Sequence, residues 1–162
     1  MFGSNNIFGY KNPPFNQPLL SQPQFLQAPV QIDTSVHHKK ITEDFCKMYY
    51  TNNSSNLGLY SSEGLYKSDA TLTFLEDECT GYNMYLHKLH NLGIKKFNYQ
   101  AVTWNSQAVG NKSIIINATG NFCAYNEYDA QSQWNKFSET FVISRDEQNK
   151  FYICQIMFKL VQ

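Results

Sequence analysis

Near residue 94 the apolar residues of this chain change period. Before that point they recur at helical spacing: Ile41, Phe45, Met48 and Tyr49, then Tyr82, Tyr85, Leu86 and Leu89. After it they alternate, with Ile114, Ile116, Ala118 and Phe122 set against Asn117, Thr119 and Asn121. A period of 3.6 lays an apolar stripe along a helix, and a period of 2 gives a strand one apolar face. The switch therefore predicts helices first and long strands after. Helices grouped in this way pack on one face of a curved antiparallel sheet, an α+β arrangement.

The local signals fill in this order. Thr42 suits an N-cap, and Glu43 and Asp44 suit the positive end of the helix that follows. Asn52-Asn53-Ser54-Ser55 breaks that helix. A second short helix is expected with Leu57, Tyr60 and Leu65 inward, then a short strand over 71–74, then an acidic turn at Glu76-Asp77-Glu78. The third helix stops at Gly93. Strands are expected over 97–105, 113–125, 134–143 and 150–161, with a bulge or bend at Gly120. In 134–143, Phe137, Phe141 and Ile143 share one face.

The last strand breaks the pattern. Tyr152, Ile156, Phe158 and Leu160 occupy one face, and Phe151, Ile153, Met157 and Val161 the other. A strand backed by helices on one side should have one wet face. Two apolar faces imply a cover, and a second subunit packed sheet to sheet is the simplest one. The expected dimer interface is Phe151, Ile153, Gln155 and Met157.

Composition divides the chain near residue 40. All five prolines precede it, at 13, 14, 18, 23 and 29, together with nine Asn or Gln and four charged residues. Residues 1–40 read as a disordered tail and 41–162 as one folded domain. The tail carries two Phe-Gly pairs, Phe2-Gly3 and Phe8-Gly9. An aromatic ring on a polar chain, next to a glycine that lets the backbone approach closely, has the form of a short weak ligand. Two pairs in ten residues also fit chance in an Asn/Gln-rich stretch, and both readings stay open. Thirteen basic residues balance thirteen acidic ones, which argues against binding nucleic acid by phosphate neutralisation. No apolar run reaches the ~18 residues of a membrane span. The start has neither the basic nor the apolar region of a signal peptide, so a soluble intracellular protein is expected. The four cysteines form no CxxC pair and read as reduced core residues.

Several strings occur in an informative order: Phe45-Cys46-Lys47-Met48-Tyr49-Tyr50, Leu65-Tyr66, Leu72-Thr73-Phe74, Gly81, Phe137-Ser138-Glu139-Thr140-Phe141-Val142, Phe151-Tyr152 and Met157-Phe158-Lys159-Leu160. Over about residues 38–161 this resembles the nuclear transport factor 2 family. The resemblance implies a cone-shaped fold, with three N-terminal helices on a strongly bent antiparallel sheet, and pairing of two such domains through their sheets. It places Met157 toward a partner subunit and Phe158 in the core. It also implies a non-enzymatic, cofactor-free role in nucleocytoplasmic transport, in the cytoplasm, the nucleus and at the nuclear pore. The expected partners are a second such domain, Ran-GDP and Phe-Gly nucleoporins, or a messenger-RNA export receptor. The partner-binding positions would be Phe74, Leu75, Glu76, Asp77 and Ser106. Two of these depart from the family's pattern: Leu75 and Ser106 stand where acidic residues pair with the GTPase, and neither can make that charge-assisted bond. His38 takes the place of an aromatic that precedes the first helix.

Other constellations point elsewhere. Enzymes of the same cone use a buried His or carboxylate in its pocket. The candidates are His87, His90, Asp69 and Asp77, and a dehydratase- or isomerase-like small-molecule protein is the alternative function. His87 and His90 also read as a solvated helix flank. They lack a third metal ligand, and no metal site is expected.

Overall fold

A computed structural model describes residues 32–54 and 64–161. The tail's Phe2, Gly3, Phe8 and Gly9 lie outside the described residues. So does most of the expected second helix, including Leu57 and Tyr60. Leu65 is described, and it is buried just ahead of a strand.

The order of elements is helix α1 (Thr34–Asn53), strands β1 (Tyr66–Phe74) and β2 (Asp77–Thr80), helix α2 (Tyr82–Asn91), then β3 (Lys96–Val109), β4 (Ser113–Tyr125), β5 (Asn135–Arg145) and β6 (Phe151–Val161). The described residues thus hold two helices where three were expected. One six-stranded sheet runs in the order β2-β1-β6-β5-β4-β3. It is mixed, because β1 pairs parallel to β6 while every other pair is antiparallel. The expectation of an all-antiparallel sheet is corrected here: β1 and β6 meet only after the whole intervening chain has crossed over.

α1 starts earlier than Thr42 suggested. The Asp33 side chain accepts the Ser35 N–H at 2.9 Å, and its carbonyl accepts the His37 N–H at 3.1 Å. Asp33 is therefore the N-cap. Residues 34–40, assigned above to the tail, are helical. Thr42 is buried in mid-helix, and its hydroxyl has no hydrogen-bond partner among the described residues. His38 sits inside α1, not ahead of it. α2 ends as Gly93 predicted: at φ 72° its N–H reaches the His90 carbonyl at 2.8 Å, and the Ile94 N–H reaches Leu89 at 2.9 Å. A left-handed residue that closes both bonds satisfies carbonyls the helix would leave open.

The helices cover the inner face of the sheet. Cross-strand register sets the rows of that face: Leu72, Ile156, Phe141 and Ile116 in one, Phe74, Phe158, Glu139 and Ala118 in the next. Phe45 and Tyr49 of α1 stand edge-on to Phe141, with ring centroids at 5.1 and 4.8 Å.

Three irregularities interrupt the register of the sheet, one of them in β1 between Tyr66 and Thr71, where it pairs with β6. Between Gln100 and Thr103 of β3 an extra residue is inserted opposite Gly120, and Ala101 there has φ 52°. A Cβ on Gly120 would lie 3.0 Å from the Gln100 carbonyl oxygen and 3.1 Å from the Val102 Cα, so a side chain there would force the two backbones apart by a few tenths of an ångström. The bend expected at Gly120 is present, but the bulge itself lies on the neighbouring strand. A second bulge lies in β6, where Val142 pairs with Gln155 and Ile143 with Ile153, leaving Cys154 over.

Candidate functional site

The bulge at Cys154 reverses the phase of β6. Ahead of it the odd residues point inward, so Phe151 is 1% exposed and Ile153 fully buried. Beyond it the even residues Ile156 and Phe158 take that place, and Met157, 46% exposed, faces outward with Gln155. Strict alternation had put Phe151, Ile153 and Met157 on one face. The interface expectation is thus corrected: Phe151 and Ile153 belong to the core, while Gln155 and Met157 remain on the outer surface.

That outer surface has an unusual make-up. Across the strands one row reads Thr73, Met157, Thr140, Asn117 and Asn105, and the next reads Thr71, Gln155, Val142, Ile115 and Gln107. From β1 to β3 neither row carries a charge; on β2 the first row continues to Glu78 and the second to Thr80. The polar groups bond laterally: the Asn117 amide donates to Ser138 and Thr140 at 3.2 and 3.1 Å, and Ser113 meets Ser144 at 2.6 Å. Ile115 and Met157 stand exposed among them. Lys136 and Lys159 appear only toward one end.

The inner face holds the charge instead. Glu139 is 1% exposed, with Oε1 accepting the Tyr49 hydroxyl and Oε2 that of Tyr50, each at 3.0 Å. No cation pairs with it among the described residues, and burial pushes its carboxyl up to about 7 against the pull of the two hydroxyls. Tyr50, one of its two donors, packs against the rings of Tyr99, Phe137 and Phe141, with Tyr50 and Tyr99 at 4.8 Å. Glu139 was not among the candidate acids, although parity with Phe137, Phe141 and Ile143 puts it on their face.

The acids and bases that were candidates lie outside the cone. Asp69, Asp77, His87 and His90 are all exposed. His87 Nδ1 meets Asn91 at 3.1 Å, and Asp77 pairs loosely with Lys88 at 3.9 Å. Among the described residues no group of three or more His, Cys, Asp or Glu could hold a metal. Cys46 and Cys123 are buried, and burial lifts the Cys46 thiol to about 12, so it is inert.

The expected partner-binding set divides. Phe74 is buried in the core, stacked on Phe158 at 5.0 Å, and presents no surface to a partner. Leu75, Glu76 and Asp77 come together at the β1–β2 hairpin. Ser106 is half-buried on β3 at the far edge of the sheet, with β6, β5 and β4 between. At the hairpin the surface opens into a groove of about 880 Å³, lined by Thr73, Leu75, Glu76, Asp77, Glu78, Met157, Lys159 and Leu160. Glu76-Asp77-Glu78 is not a plain turn: Leu75 and Glu76 make the turn, and Asp77 and Glu78 already belong to β2.

Comparison with known proteins agrees with this geometry. The family model described as the nuclear transport factor 2 domain matches residues 41–160. Among solved structures, nuclear transport factor 2 from Cryptosporidium parvum is 22% identical, with a TM-score of 0.62 over 77% of this chain and 95% of that one. The yeast Ubp3-associated protein Bre5 is 19% identical, with a TM-score of 0.56 over 77% and 97%. A scytalone dehydratase-like protein from Novosphingobium aromaticivorans is 10% identical, with a TM-score of 0.62 over 80% and 88%. At these identities the likeness is one of fold. No curated protein matches the sequence.

Proposed function

The chain belongs to the nuclear transport factor 2 domain family, and from that premise we propose that it acts as a binding module that pairs with a second domain of its kind through the outer face of its sheet. The observation that carries this reading is the uncharged double row from Thr73 to Asn105 and from Thr71 to Gln107, with Met157, Val142 and Ile115 near its middle. Covering a charge costs several kcal/mol unless it is paired. A face of hydroxyls, amides and apolar side chains loses little when another sheet covers it, and interface cores are depleted of charge in the same way.

The role proposed for the pair is protein recognition in nucleocytoplasmic transport, in the cytoplasm, the nucleus and at the nuclear pore. Ran-GDP, Phe-Gly nucleoporins or a messenger-RNA export receptor are the partners to test. Support comes from the family and from the Cryptosporidium protein's name. Leu75 and Ser106 weigh against a Ran site of the usual kind, because neither supplies a carboxylate.

Glu139 favours a second reading. A buried carboxylate near neutrality inside a cone shared with a dehydratase-like protein is a group that could move a proton. Against it, each carboxylate oxygen is occupied by a tyrosine hydroxyl.

Light scattering on the full chain tests the pairing. We expect twice the chain mass of 18.8 kDa, and a single chain mass for Met157→Glu, with pairing weakened at least ~100-fold by a carboxylate at the centre of the interface. A wild-type monomer at high concentration would overturn the reading and move weight to the interior. Pull-downs with Ran-GDP and with Phe-Gly repeats then separate the partners.

A further inference from the structure

The groove at the β1–β2 hairpin has a feature that an ordinary surface hollow lacks. β1 leaves β6 after Phe74, where the Leu75 N–H makes the last bond, to the Phe158 carbonyl at 2.9 Å. Beyond that point Lys159, Leu160 and Val161 pair with β5 alone among the described residues. Peptide groups alternate sides along a strand, so the N–H and C=O of Leu160 face the side that β1 has left. Beside this free edge stand two exposed leucines, Leu75 and Leu160, the latter 49% exposed. Glu76, Asp77 and Glu78 form an acidic rim; among the described residues Lys159 is the one cation that lines the groove, and Lys88 of α2 reaches Asp77 only loosely, at 3.9 Å. Leu75 is also held at φ 60°, a backbone conformation that Leu rarely adopts.

A short strand edge with apolar side chains and an acidic rim fits one kind of ligand: an extended segment with aromatic side chains and a positive charge, added as a strand. The chain carries such a segment. In Ile7-Phe8-Gly9-Tyr10-Lys11, an extended backbone would put Phe8 and Tyr10 on one side, while Gly9 lets the two backbones approach. Lys11 is the only charged side chain between residues 1 and 32, and its sign is the one the rim calls for.

The span also fits. Ile32 is placed beside the β5–β6 turn, its N–H on Asn149 Oδ1 at 3.2 Å. Leu160 lies nearly the length of β6 away, about 30 Å at the rise of a strand. Residues 12–31 reach about 70 Å when extended, and a coil of that length averages about 25 Å. The segment can therefore dock on its own chain, at an effective concentration in the millimolar range.

We infer that residues 7–11 add as a strand to the free edge of β6 at Leu160 and fill the groove between Leu75 and the acidic rim, so that the chain carries an internal competitor for whatever extended, aromatic and basic segment that groove would bind. Docking of this segment and sheet-to-sheet pairing share Thr73 and Met157, which line both surfaces. The test accordingly leaves both unchanged.

Hydrogen exchange read by mass spectrometry on the full chain tests it. Residues 7–11 should exchange at least tenfold more slowly than residues 16–22 of the same segment, and equally so over a hundredfold dilution. The doubly substituted chain Phe8→Ala, Tyr10→Ala should lose this protection and speed exchange at Leu160. Leu75→Asn should lose it too, since Asn tolerates the left-handed backbone and keeps the hairpin while removing the apolar wall. Equal exchange of 7–11 and 16–22, or protection that survives Leu75→Asn, would overturn the inference. Protection that fades on dilution would overturn it in favour of exchange between copies. Light scattering on the same samples reads pairing separately: a monomer with 7–11 protected sinks only the pairing, and a dimer with 7–11 unprotected sinks only the docking.

Discussion

The two faces of the sheet invert the usual placement of charge. The inner face, under α1, holds a carboxylate with no cation to balance it among the described residues. The outer face, which water could solvate, carries no charge over its two middle rows from β1 to β3, and Glu78 of β2 lies only at their edge. The same strands build both, and on β5 the two kinds of residue alternate from Lys136 to Ser144. The lesson is that exposure alone does not identify a working surface. On the outer face it is the missing charge that points to a partner. On the inner face the retained charge is held by two tyrosines in a packed core, which reads first as a structural cost.

The contrast can be broken or sharpened by substitution. Phe141→Ala, under Phe45 and Tyr49, should cost about 3–5 kcal/mol in urea unfolding, whereas its outward neighbour Thr140→Ala should stay within about 0.5 kcal/mol in a monomeric background. Equal costs would mean that the outer row is packed as tightly as the core.

Glu139→Gln comes next in size. The folded-state pKa is raised from 4.5 to about 7, so the protonated carboxyl is favoured by folding. Stability should be greatest below about pH 4.5, fall as the pH rises toward 7, and level off beyond. A glutamine at this position cannot ionise. The substituted chain should match wild type near pH 4 and exceed it by about 3 kcal/mol at pH 8 and above. A flat wild-type profile between pH 4.5 and 7 would show that Glu139 stays charged or gains a cation in solution. If removal of the carboxylate also abolished turnover of a small molecule, the interior would be the active surface and the outer face a secondary one.

Leu75→Asn gives the smallest effect. Relief of the left-handed conformation should raise stability by about 1 kcal/mol, measurable as a higher melting temperature. A loss of stability would show that Leu75 packs more closely than its exposure suggests.

How much of this was legible in the sequence differs from element to element. The period switch placed β3 to β6 to within a few residues, because β4 and β5 alternate visibly between a wet face and a dry one and β6 is a bounded apolar run. Gly93 marked the end of α2 because glycine is the residue most at ease at that φ. Glu139 was equally legible, two residues from Phe137 and from Phe141 in a strand of known parity. It went unread because a single acid in an alternating strand looks like a surface residue unless its phase is checked. Thr42 misled because the true cap, Asp33, lies eight residues ahead of Ile41, where the apolar stripe begins.

By itself the sequence determined the classes of the elements, their order and the residues able to line a core, since those depend on side-chain type and spacing along one segment. Only the tertiary structure decided which face of β6 is which. The extra residue at Cys154 shows only in the register of β6 against β5 and β1, and no local signal marks it. The parallel pairing of β1 with β6 and the free edge at Leu160 were decided in the same way. A strand's neighbours are set by how the whole sheet closes over its helices, and that information is not held in any one stretch of chain.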